Sequence, residues 1–390
     1  MEIRIYSERN VINLNRTKIV IASIILSLCI GSIYSWSIFL IPISELINLS
    51  LIETQYCFAL TIFTLGCTAS IGAKYIKQYG PMKSALIGTL CFSLGMILTA
   101  ISLSLHSLLI YVTYGLILGI GVGIIYLIPI PLLLQVFPNN KALGSSISIL
   151  AFGFGSAVFV PLSRLFPLVD SFLIYGLIYG ILMLFASLLL PKDSPKTYKT
   201  ISQTDSLTCK EAQKTSSFRY IFLIFFINIF VGISIISIAA PLCEELLLTD
   251  VLGIVAIIGI CNGIGRPFWA YIADNLNYVM IYRILFIMQI ISLMLIFNNI
   301  NSAIALFVIA STYGGGFSCL PALTEYIFGP DNVQEILGKL LFAWALAGSL
   351  GPLCVTSLYT LTGTYLLMIP IFIVLLLIAF YVSQKITIKC

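Results

Sequence analysis

Ala73-Lys-Tyr-Ile-Lys77-Gln-Tyr-Gly80-Pro-Met-Lys83 and Ala270-Tyr-Ile-Ala-Asp274-Asn-Leu-Asn277 follow the second and eighth apolar runs of this 390-residue chain, in the same place and with the same spacing. Two halves of the chain therefore echo one another. On either side of these segments, apolar runs fall at 19–43, 56–76, 84–105, 108–134, 142–163, 171–190, 218–240, 251–272, 278–298, 302–326, 337–361 and 365–384. Each is long enough to cross a hydrocarbon core of about 30 Å as helix, which takes roughly 20 residues. They are continuous rather than alternating, which favours helices over a barrel, because in lipid each backbone group must be satisfied within the protein. Composition agrees: 60% apolar and 9% charged residues contrast with about 45–50% and about 25% in soluble domains. The reading is an all-α polytopic membrane protein of twelve transmembrane helices in two six-helix bundles.

Lys and Arg set the orientation. With both termini cytoplasmic, 18 of the 20 basic residues face inside; Arg164 lies outside and Arg266 within a span. The expected organisation is a cytoplasmic tail (1–18), a first bundle (19–190), a Lys-, Ser- and Thr-rich cytoplasmic linker (191–217) and a second bundle with a short tail (218–390). The first run follows a charged tail and is too long for a signal-peptide core, so it is read as a retained helix. Ten cysteines include no CxxC pair and read as small hydrophobes within helices. One histidine, His106, cannot build the usual zinc, haem or Ser-His-Asp site. No enzyme activity, metal, cofactor or nucleic acid is expected.

Within the membrane, Arg266 stands out. It precedes Asp274 by eight residues, about 12 Å of helix, and no acid lies at membrane depth to pair with it. A central Arg costs about 2.5–3.5 kcal/mol on insertion scales and should face a cavity or a partner. Its planar fork suits a carboxylate. Asn262 lies one turn earlier on the same face and could bond the same ligand. Aromatic residues at candidate cavity positions are Tyr34 and Trp36, Tyr126, Tyr313 and Trp344. Gly115-Leu-Ile-Leu-Gly119-Ile-Gly121-Val-Gly123, Gly153/Gly155 and Gly314-Gly-Gly316 lack the following Lys-Ser/Thr of a phosphate loop, so close helix packing is expected there. Pro129, Pro131 and Pro161 should bend spans 4 and 5. Without intramembrane carboxylates, exchange or facilitated diffusion fits better than proton coupling through a side chain.

The paired segments after spans 2 and 8 resemble the small-xxx-Asp-x-x-Gly loop of the major facilitator superfamily, with Lys77 at the acid's position in the first copy. Lys77, Gly80 and Asp274 are accordingly expected in conformational gating. Gly31-Ser-Ile-Tyr34-Ser-Trp36-Ser-Ile-Phe39, Tyr114 to Tyr126, Val136-Phe-Pro138-Asn-Asn, Asn262-Gly-Ile-Gly-Arg266-Pro, Phe328-Gly-Pro-Asp and Phe342-Ala-Trp344 through Gly351-Pro352 resemble the oxalate/formate antiporter family, related to monocarboxylate porters. The resemblance implies a transporter of small organic anions, with Arg266 matching the family's carboxylate-binding Arg. Trp344 stands where oxalate exchangers carry a second cation, which favours a monocarboxylate over a dianion. Asn262 stands where proton-linked monocarboxylate porters carry an Asp. The expected protein is a monomer in a bacterial-type inner membrane that moves small carboxylates by alternating access. Carriers of amino acids, sugar phosphates or drugs are the alternative within the same fold.

Overall fold

The computed structural model describes residues 16–137, 141–192, 206–329 and 332–386, with backbone alone at 73, 74, 77, 141–146 and 334. Most of the expected tail 1–18 and linker residues 193–205 lie outside them. The described residues are helical, with no strand. Ten helices are long and apolar enough to cross a membrane, and the shorter apolar helices Ile147–Ser163 and Met368–Ser383 occupy the fifth and twelfth positions.

Span 1 comprises α1 (Arg16–Gly31), a 3₁₀ turn (Ser32–Ser35) and α2 (Ser37–Ile47). Spans 2 and 3 are α3 (Leu51–Tyr79) and α4 (Pro81–Ser104). Ser50 caps α3, accepting from the Glu53 N–H while Glu53 reaches back in a capping box, which satisfies otherwise orphaned donors. The segment expected as a loop after span 2 is instead the end of α3, and the connection narrows to Gly80. Its φ of 83° suits a residue without Cβ, and Pro81 starts α4 at once.

Span 4 is a π-helix (Tyr111–Leu118), α5 (Gly119–Tyr126) and α6 (Pro129–Val136). The break at Leu127–Ile128 falls just before Pro129, where a proline cannot supply the helical N–H. By contrast, α7 (Lys141–Ser163) runs without a break through Pro161. That proline sits two residues from the helix end, so the N–H bond it cannot make leaves only the last turn to be redirected. Span 6 is α8 (Leu168–Leu188).

The linker is not wholly irregular: α9 (Cys209–Lys214) carries its own Thr208–Glu211 capping box. The Leu207 N–H donates to the Phe328 carbonyl at 3.0 Å, and Asn332 Nδ2 donates to the Leu207 carbonyl at 3.0 Å. The second half contains α10 (Ser216–Ser237), α11 (Ala239–Glu245), α12 (Val251–Asn275), α13 (Tyr278–Phe297), α14 (Ser302–Phe328), α15 (Val333–Leu340), α16 (Phe342–Thr362) and α17 (Met368–Ser383). Here too the expected loop Ala270–Asn277 is mostly helix end, leaving Leu276 and Asn277 as the connection.

The halves meet along α7–α12 and α3–α16, and again where α2 meets α11. Glycines make the first two contacts close. A methyl group at Gly153 would strike the Gly263 backbone, and one at Gly66 would fall 2.8 Å from the Ala345 Cα. Every residue from Ile227 to Cys243 is buried, so the C-terminal half of α10 and most of α11 are enclosed on all sides. α12 instead shows Ile264, Phe268 and Tyr271 on an exposed stripe, as a lipid-facing helix should.

Candidate functional site

Arg266 sits nine residues before the end of α12, about 14 Å of helix at ~1.5 Å per residue. It is fully buried. Its stem fits because α14 presents Gly314 to it: an added Cβ there would lie 3.0 Å from Arg266 Cγ and 2.9 Å from Asn262 Oδ1. The guanidinium carbon stands 5.3 Å from the ring centres of both Phe152 and Phe317. One ring comes from α7 in the first half and the other from α14 in the second. Both fall within the roughly 6 Å over which a cation is attracted to a ring.

Polar partners are few. Arg266 Nε donates to Asn262 Oδ1 at 3.4 Å, a long bond that fixes one edge of the fork. Nη1 and Nη2 have no hydrogen-bond partner among the described residues, and no carboxylate there pairs with them. The Tyr34 and Tyr126 hydroxyls stand beside the guanidinium, within reach of long, weak hydrogen bonds to it as well as of its charge, and neither neutralises it. Asn262 Nδ2 and Trp344 Nε1 are likewise buried without a partner. All four orphaned atoms are donors.

The aromatic residues close a ring around this point. Phe317 lies 4.8 Å from Trp344, Trp344 5.2 Å from Tyr126, and Tyr126 5.4 Å from Phe152. With Arg266 between Phe152 and Phe317, the circuit crosses between the halves twice. Tyr313, one turn before Phe317 on α14, shares a hydrogen bond of 3.1 Å between its hydroxyl and that of Tyr34. That bond also joins the two halves. Gly232 of α10 makes room for the Tyr313 ring, since a Cβ there would lie 2.6 Å from its Cδ2.

Helix breaks sit beside these side chains. Tyr34 lies in the 3₁₀ turn, Tyr126 ends α5, and Trp344 lies three residues after the α15–α16 junction at Leu341. Irregular backbone at membrane depth is tolerated where it is buried in protein or lines a cavity.

The structure thus brings Arg266, Asn262, Tyr34, Tyr126, Tyr313 and Trp344 together. Trp36 points elsewhere, donating to Gln55 Oε1 at 3.0 Å and packing on Tyr114 within the first bundle. Phe152 and Phe317 escaped the sequence reading. Among 25 phenylalanines nothing marked them, although Phe317 stands one turn from Tyr313. Gly80 forms the α3–α4 corner, Lys77 is described only by its backbone, and Asp274 is exposed and accepts from the Tyr278 hydroxyl at 3.3 Å.

Comparison with known proteins agrees with this architecture. The chain is 26% identical to the oxalate:formate antiporter of Oxalobacter formigenes over 384 residues, covering 94% of this chain and 91% of that one. It is 25% identical over 353 residues to the uncharacterized MFS-type transporter YhjX of Escherichia coli, covering 86% of each. The inward-open structure of the E. coli xylose transporter XylE superimposes with a TM-score of 0.76 at 14% identity, over 95% of this chain and 96% of that one. The resemblance noted in the sequence is therefore shared with full-length relatives. Residues 21–352 match the profile of the Major Facilitator Superfamily, and the chain belongs to that superfamily of membrane transporters.

Proposed function

We propose that this transporter moves small organic anions, preferentially monocarboxylates, and that it works by exchanging one for another. The observation that carries the reading is the fully buried Arg266 guanidinium, whose two terminal nitrogens have no hydrogen-bond partner among the described residues. A buried cation without a counter-charge is costly, and a bound carboxylate supplies both the charge and the acceptors in a two-pronged geometry. The aromatic circuit excludes water from the pair, and in such a setting each polar contact is stronger. A single cation suits a single carboxylate, because a second would be desolvated without a partner. Similarity to an oxalate:formate antiporter supports the anion class.

The same physics favours exchange. The empty carrier must reorient with an unneutralised guanidinium shut inside it, whereas the loaded carrier does not. Gly80, Lys77 and Asp274 flank the corners at which α4 and α13 would swing, and we assign them to gating. The distribution of Lys and Arg supports cytoplasmic termini in a bacterial-type inner membrane. Counterflow in proteoliposomes tests the exchange: preloaded unlabelled monocarboxylate should accelerate labelled uptake about tenfold or more, with or without a protonophore. Uptake that ignores preloading and collapses with the protonophore would overturn it.

A further inference from the structure

The Arg266 fork does not account for every orphaned donor at the site. Trp344 is fully buried, yet its Nε1–H meets no acceptor among the described residues. A buried indole N–H normally finds a partner, and leaving such a group unpaired is costly. The ring itself is held firmly, 4.8 Å from Phe317 and 5.2 Å from Tyr126. Phe317 stands 5.3 Å from the Arg266 guanidinium carbon, and Tyr126 packs on Phe152, which stands at the same distance from it. Trp344 therefore belongs to the same circuit as Arg266 and stands one ring away from it, with Phe317 as their shared neighbour. Asn262 Nδ2, beside the guanidinium, is orphaned as well.

We infer that Trp344 is a specificity-determining residue whose indole N–H donates to an uncharged oxygen of the substrate, a carbonyl or hydroxyl, while Arg266 holds the carboxylate. The substrate class is then an oxygen-bearing monocarboxylate rather than a plain alkanoate or a dicarboxylate. A lone neutral donor offers a second carboxylate one hydrogen bond and no charge. It offers a hydroxyl or carbonyl oxygen all that such a group needs, and a site built to bond a polar group rejects an analogue lacking it more strongly than it rejects a change of size. This rests on the Arg266 reading and refines it.

The test measures competition against labelled substrate in proteoliposomes for matched pairs that differ by one oxygen: propionate against lactate and pyruvate, and butyrate against 3-hydroxybutyrate. In the unmodified protein the oxygenated member of each pair should bind about tenfold more tightly. In Trp344→Phe, which keeps a ring and removes the donor, that ratio should fall to about one. Replacing Trp344 with benzothienylalanine, which exchanges N–H for sulfur at nearly constant shape, should give the same collapse and covers the case in which Trp344→Phe does not fold. A ratio near one in the unmodified protein, or a ratio that survives benzothienylalanine, overturns the inference. Failure of the Arg266 reading looks different: none of the carboxylates, oxygenated or plain, would compete at all.

Discussion

Gly314→Ala is a sharp perturbation of the site because the added methyl touches no ligand directly. Its Cβ would run into the Asn262 carbonyl oxygen while lying 2.9 Å from Asn262 Oδ1 and 3.0 Å from Arg266 Cγ. The carbonyl belongs to the α12 backbone and cannot step aside, so either α12 and α14 part or the Arg266 stem swings away from its place between Phe152 and Phe317. Overpacking of this kind costs about 1–3 kcal/mol. If the strain is released by moving Arg266, carboxylate affinity should fall by roughly 5- to 100-fold, at about 1.4 kcal/mol per factor of ten. Gly316→Ala provides the comparison. Two residues on, and about 200° around the helix, its methyl meets Asn228 of α10 instead. Both variants should lower the melting temperature of the purified protein. Gly314→Ala should also weaken carboxylate competition, whereas Gly316→Ala should leave it within about threefold. Equal losses of affinity in the two variants, or a Gly314→Ala protein with unaltered affinity, would refute the placement of Arg266 against α14.

Trp344→Lys puts a second cation beside Tyr126 and Phe317, and should shift competition from monocarboxylates toward dicarboxylates such as oxalate or malonate; unchanged preference would remove Trp344 from the site. Tyr34→Phe or Tyr313→Phe deletes the hydroxyl bond between the halves, worth about 0.5–1.5 kcal/mol. Either change should raise labelling of a cysteine introduced on the α2–α11 seam by a membrane-impermeant reagent, up to about tenfold. Labelling equal to that of the otherwise unmodified cysteine variant would mean that this bond does not hold the halves together.

Much of this arrangement is legible in the residues, and what is not has physical reasons. The spans, the internal repeat and Arg266 are legible because membrane depth makes a charge conspicuous and leaves little else that it can do. Asn262 follows from helical spacing alone. Phe152 and Phe317 are hidden because a ring that faces a guanidinium and a ring that faces lipid look the same in a chain with 25 phenylalanines. The breaks are uneven in the same way. Pro129 announces the one in span 4, whereas the Ser32–Ser35 turn contains neither glycine nor proline and depends on packing between spans. The corners after α3 and α12 are tighter than expected, because helix continues to the last residue before Gly80 and to Asn275. Trp344 reads from sequence as apolar bulk; only its burial without an acceptor exposes the N–H as a polar feature.

Arg266→Gln, assayed by transport and thermal stability together, asks whether the buried guanidinium holds the substrate. Hydrogen bonds to a charged group contribute about 1.5–3 kcal/mol, so carboxylate affinity should fall by about 10- to 100-fold or more, and counterflow should cease. Stability should move the other way. Removing a buried charge that meets no carboxylate among the described residues relieves a desolvation cost, so the ligand-free variant should melt at the same temperature as the unmodified protein or higher. The upward shift in melting temperature that monocarboxylates give the unmodified protein should vanish. An Arg266→Gln protein that folds, binds a carboxylate and exchanges it at the unmodified rate would mean that Arg266 is not the substrate's charge partner.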